Sequence, residues 1–243
     1  FAQEEHQHHA PASAAASPAK GDHGEHAAQA TRAWYGPYAA TRESSGTSWQ
    51  PEASPHEGLH ARLGEWDTMT HGFANLIYDE QGGPRGDTKT FMTSMLMVMG
   101  SRPVGEAGTL GLRAMVSADA AFGKGGYPLL FQTGETADGR TPLIDRQHPH
   151  DLFMELSASV SQNIGPKSSA FLYAGLPGEP AFGPPAFMHR ESIMDSPEAP
   201  ITHHWLDSTH ITFGVVTAGL VFDRVKVEAS RFNAREPDEH RWD

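Results

Sequence analysis

Residues 151–161 read Asp151-Leu152-Phe153-Met154-Glu155-Leu156-Ser157-Ala158-Ser159-Val160-Ser161, and their alternation is the signature of the fold. One side holds Leu152, Met154, Leu156, Ala158 and Val160; the other holds Asp151, Phe153, Glu155, Ser157, Ser159 and Ser161. The pattern returns as Leu110, Leu112, Ala114 and Val116 against Gly111, Arg113, Met115 and Ser117, and as Ile211, Phe213 and Val215 against His210, Thr212 and Gly214. Side chains alternate between the two faces of a strand, so period-two alternation reads as β. Arg113 and Glu155 in mid-strand make a dry sandwich core a poor explanation. An antiparallel outer-membrane-type β-barrel, apolar toward lipid and polar toward its lumen, accounts for both faces.

Across the chain, seven segments carry strand character: 66–78, 89–99, 109–117, 151–163, 168–176, 207–222 and 224–233. In the first, Trp66, Thr68, Thr70, Gly72, Ala74, Leu76 and Tyr78 share a face with an aromatic at each end, as a lipid-facing strand between two aromatic girdles would. Its opposite face carries Asp67, Met69, His71, Phe73 and Asn75. The second segment is apolar on both faces. Connections alternate between short turns and longer loops, the longest being 118–150 and 177–206. Outer-membrane barrels have short periplasmic turns and long external loops, which puts the N-terminal tail in the periplasm. Seven is odd where single-chain barrels are even-stranded, and Glu239-His240-Arg241-Trp242-Asp243 reads as the start of another loop. The expectation is an all-β N-terminal portion of a longer barrel, partial over 61–243, behind a flexible tail over 1–60. The opening Phe1-Ala2-Gln3 reads as the new N-terminus left by a removed signal.

Composition excludes several classes. The chain is 38% hydrophobic, and no stretch approaches the roughly 20 apolar residues of a transmembrane helix. A formal charge of -12 argues against nucleic acid, which needs clustered Lys and Arg, and permits attraction of cations. Without cysteine there is no disulfide framework, thiolate metal site or cysteine nucleophile. No Walker, dinucleotide or G-x-S-x-G motif occurs, so no organic cofactor is expected.

Histidine is the outlier, with fifteen in 243 residues. His6, His8, His9, His23 and His26 lie among Ala, Pro, Ser and acidic residues, a composition too polar to offset its ordering entropy. Trp34, Tyr35, Tyr38 and Trp49 are the residues of this tail able to dock locally. Dense imidazole and carboxylate on such a segment binds Cu or Zn ions. A second group falls at one end of the barrel: His148, His150 and Asp151; His189; and His203, His204, Asp207 and His210. Asp151 or Asp207 would support imidazole ligands there. The bland reading of this group is a plug of folded loops whose His, Asp and Arg satisfy one another. Strand parity points His210 into the lumen beside Thr212, but puts His148 and His150 on the side of Leu152 unless Pro149 breaks the strand. Lumen-lining positions by the same parity are His71, Arg113, Glu155, Lys226 and Glu228. Of nine methionines several fall within 92–99, where a thioether is more often core filler than a Cu(I) ligand.

Four stretches carry a resemblance: Asp145 to Leu156 (DRQHPHDLFMEL), Gly178 to Arg190 (GEPAFGPPAFMHR), Ala199 to Gly214 (APITHHWLDSTHITFG) and Phe232 to Asp243 (FNAREPDEHRWD). They resemble a poorly characterised family of predicted Gram-negative outer-membrane β-barrel proteins found beside copper and heavy-metal resistance systems. The resemblance covers most of 66–243. It implies a barrel in a metal-tolerance setting, with outer-membrane lipid, metal ions and other metal-efflux components as partners, and no defined mechanism. The expected function is metal binding, transport or tolerance, with copper the metal. The alternatives are a channel or structural barrel without metal chemistry, and a metal-dependent enzyme using the loop histidines. Non-enzymatic action is the expectation.

Overall fold

The structure, a computed structural model, describes residues 33–54, 58–80, 82–83, 88–118, 152–183, 185–190 and 212–233. These residues build one antiparallel sheet. Its strands are β1 (Leu59–Leu63), β2 (Trp66–Glu80), β3 (Thr88–Val104), β4 (Gly108–Val116), β5 (Phe153–Gly165), β6 (Ser168–Gly178), β7 (Thr212–Phe222) and β8 (Val225–Arg231). Each pairs with the next in chain order. Helical structure among the described residues is limited to the 3-10 turns Ala40–Arg42 and Phe187–His189. None is long and apolar enough to cross a membrane, which says nothing about crossing by strands.

A strand is found within each of the seven segments read from the alternation, with residues 151 and 207–211 outside the described residues. β1 was hidden from that reading because it is five residues long and exposed throughout, so nothing selects an apolar face. It is held by a two-residue turn in which Leu63 faces Trp66 and Gly64 takes a φ of 65°. A positive φ at the first central position is what tight hairpin turns require, and glycine adopts it without a Cβ penalty. Asp223 does the same at 57° in the β7–β8 turn, a conformation Asp tolerates better than most residues. The turns after β1, β3, β5 and β7 are short, whereas the connections after β4 and β6 span 117–152 and 179–211. Short turns therefore share one end of the sheet and long connections the other.

The two faces differ in kind. One bears Leu76, Leu96, Val98, Leu112, Leu156, Val160, Leu172, Val216, Leu220 and Val227, all solvent-exposed. Leu76 is 74% exposed and Val227 62%, where a soluble antiparallel sheet would place polar residues. The charged residues in register with this face among the described strands, Glu80, Arg102 and Arg231, lie at or near strand ends. The other face is covered by two segments of the same chain, 33–54 and 180–190.

Contacts from the covering segment show that the sheet is curved. The Gly46 carbonyl accepts from Arg113 on β4 at 3.0 Å, and the neighbouring Thr47 hydroxyl donates to Glu228 on β8 at 2.7 Å. In a flat sheet strands four places apart lie roughly 19 Å from each other. Adjacent residues can touch both only if the sheet curls around them. Closure of β8 onto β1 is not among the pairings of the described residues.

Three expectations about faces and order need correction. Met154, read with Leu152, is buried on the covered face, and Phe153, read opposite, is exposed. The β4–β5 register slips here: Met115 faces Glu155 but Val116 faces Phe153, so Met154 is an extra residue that reverses the parity. Val215, read as outward, is 1% exposed. Val216 pairs with Arg231, yet Asn233 donates its N–H to the Phe213 carbonyl, which leaves one extra residue on β7 at Gly214, whose φ is 63°. Finally, 33–54 is folded rather than flexible. It has little regular structure beyond one 3-10 turn and a bridge between Glu43 and Trp49, but Trp34, Tyr35, Glu43, Ser45 and Thr47 are buried. The composition of 1–60 averages over an aromatic-rich stretch whose apolar partner surface is supplied by distant strands.

Candidate functional site

The covered face holds three connected groups. The first fixes the inserted segment on itself. Glu43 accepts from the backbone N–H of Trp34 and of Tyr35, both at 2.8 Å, and from the Tyr38 hydroxyl at 2.9 Å. Burial pushes the Glu43 carboxyl above its ordinary range, opposed by those three donors. The phenols of Tyr35 and Tyr38 are likewise pushed up, first by burial and then by the nearby carboxylate. Arg42 lies over the Tyr38 and Trp49 rings at 5.0 and 4.9 Å and pairs with Glu52.

The second group ties the segment to the sheet. Arg113 and Glu155 form a buried ion pair at 3.4 Å, with side-chain exposures of 2% and 3%. Ions taken out of water are stable only when their remaining donors and acceptors are met. Glu155 receives the Tyr173 hydroxyl at 2.8 Å and the Ser157 hydroxyl at 2.6 Å, while Arg113 donates to Gly46 and lies 5.0 Å over the Trp34 ring. On β8, Lys226 and Glu228 pair at 3.0 Å, and both meet Thr47. The Lys226 ammonium also sits 5.0 Å over Trp49.

The third group lies toward β2 and β3. His71 Nε2 is 3.1 Å from Met97 Sδ, and the His189 ring meets the His71 ring edge-on at 5.4 Å between centroids. Met95, Met97, Met115, Met154, Ala186 and Met188 form one buried cluster, with Phe73 and Met99 against it. The segment carrying His189 is anchored at two points ahead of it: Ala186 N–H donates to Ser45 at 3.0 Å, and Ala181 N–H to Ser230 at 2.8 Å.

The five residues read as lining the inner face, His71, Arg113, Glu155, Lys226 and Glu228, all lie on the covered face. Of the histidines read as metal ligands, His189 is described and meets His71. The tail residues His6, His8, His9, His23 and His26, and the loop residues His148, His150, Asp151, His203, His204, Asp207 and His210, lie outside the described residues, as does Ile211. Among the described residues no group of three or more His, Asp or Glu side chains gathers as a metal site would. Glu43, Thr47 and Tyr173 were missed. Tyr173 was within reach of the same parity argument, because it shares the covered face with Phe171. Glu43 and Thr47 had no periodic signal to betray them. No protein-family model, no curated protein and no solved structure matches this chain.

Proposed function

We infer that this chain forms the wall and the internal plug of an outer-membrane-type β-barrel that binds metal ions and takes part in metal, chiefly copper, tolerance. The observation that carries the membrane reading is the inversion of the two faces. Apolar side chains stand exposed along successive strands, while Arg113, Glu155, Lys226 and Glu228 are on the covered side. An exposed apolar surface of this extent is costly in water and stabilising in lipid. The placement of all short turns at one end and the long connections at the other supports the same reading. On it, 33–54 fills the lumen. The metal role rests on the histidine-rich tail and loops and on the resemblance to barrels found beside metal-resistance systems. A structural plugged barrel without metal chemistry is the second reading, favoured by the buried Arg113–Glu155–Tyr173 network that ties the segment 33–54 to the sheet.

One substitution separates lipid from water as the solvent of the bare face. Leu172 is 46% exposed in the middle of β6. Leu172→Arg should cost about 2–4 kcal/mol near the midplane of a bilayer, and the variant should be depleted from the outer-membrane fraction. On a soluble sheet the same change falls within about 0.5 kcal/mol of neutral. Normal folding of Leu172→Arg in aqueous buffer without detergent would overturn the membrane reading.

A further inference from the structure

His71 and Met97 face each other directly across β2 and β3. Their side chains meet at 3.1 Å, Nε2 to Sδ, and His189 approaches the same imidazole from the inserted segment. Around them six of the chain's nine methionines gather: Met95, Met97, Met115, Met154 and Met188 in the buried cluster, and Met99 against it. Methionine is common filler, but a cluster built for packing alone draws on Leu, Ile and Val, and none of these is among the buried members here. The carboxylate across from this cluster, Glu155 opposite Met115, is already paired with Arg113. Thioethers with imidazole are a poor set for Mg²⁺ or Ca²⁺, and a good one for a soft monovalent ion. His71, Met95 and Met188 also border one cavity of about 920 Å³, which gives an ion room to arrive.

The geometry points to a binding site for a soft monovalent metal ion, Cu(I) or its analogue Ag(I), with His71, Met97 and His189 as ligands and Met95 or Met188 as a further sulfur. Metal–nitrogen and metal–sulfur bonds of about 2.0 and 2.3 Å at a tetrahedral angle hold N and S roughly 3.5 Å apart. The His71–Met97 pair must therefore open by a few tenths of an ångström, within reach of a side chain with three rotatable bonds. The bulged Met154, the extra residue in β5, brings one more thioether to the covered face beside Met115. The proposal deepens the metal reading by naming the class of ion and rests on that reading for its biological role, whereas the site itself rests on these contacts.

The test uses the full chain in detergent, titrated anaerobically with Cu(I) against a chromophoric chelator. Ag(I) is a second probe, and Zn(II) reports the tail and loop histidines. X-ray absorption of the Cu(I)-loaded wild type should show sulfur neighbours at about 2.3 Å. His71→Gln and Met97→Leu should each weaken Cu(I) by at least the roughly 10–100-fold that losing even a supporting group costs a metal site, with Zn(II) uptake unchanged. Cu(I) held by nitrogen alone, or with equal affinity in wild type and both variants, would overturn the site while leaving tail and loop metal binding intact. The wild-type absorption spectrum decides even where a variant fails to fold. Uptake of none of the three ions would overturn the site and the metal reading together.

Discussion

Glu43 shows how much one buried carboxylate can organise. Its two oxygens collect the N–H groups of Trp34 and Tyr35 and the hydroxyl of Tyr38, closing the inserted segment on itself. Glu43→Gln keeps the shape but loses acceptor capacity, stranding a buried donor at a cost of about 1–3 kcal/mol. We expect a lower denaturation midpoint and a red-shifted tryptophan emission as Trp34 gains water; an unchanged midpoint would argue that the segment is held by the sheet alone. The pH dependence takes its sign from the direction of the shift. Burial holds the folded-state pKa of Glu43 above its unfolded value, so the folded state binds more protons in the interval between them. Docking should strengthen as pH falls through that interval, and Glu43→Gln should flatten the response. The aromatics Trp34, Tyr35 and Tyr38 marked a place able to dock, but nothing at position 43 announces the carboxylate that knots them, because the knot exists only after the chain reverses.

The strands themselves were legible as elements, and the exceptions are bulges. Alternation located β2 to β8 because a covalent period of two needs no knowledge of the partner strand. It failed at Met154 and at Val215, where an extra residue in one strand turns the adjoining side chains over. Gly214 marks the second failure. A Cβ built there meets nothing within 4 Å, so only the positive φ of 63° opposes a side chain. Gly214→Ala should therefore cost roughly 1–2 kcal/mol through backbone strain alone, read as a lower denaturation midpoint with the covered-face packing of Val215 retained. A loss well beyond that would mean that the bulge had moved and reversed Thr212 and Phe213.

For the whole molecule, the deciding event is the docking of 33–54 against strands that include some more than a hundred residues away. Trp34 lies where a Cβ on Gly111 would sit, with the ring 2.3 Å from that position. Gly111→Val should expel Trp34, speed tryptic cleavage after Arg42 and, on the barrel reading, raise conductance in planar bilayers above the wild type. Unaltered protection at Arg42 would show that Trp34 is not what seats the segment. Local pattern was enough for the antiparallel all-β class, most strand positions, the alternation of turn lengths and the faces of His71, Arg113, Glu155, Lys226 and Glu228. These are consequences of side-chain period and turn chemistry, which the chain carries at every residue. Folding had to supply the rest: which residues cover the polar face, where the bulges reverse it, and that His71, Met97 and His189 converge. Those outcomes depend on pairing register and on contacts between segments far apart in the chain, and no local pattern encodes them.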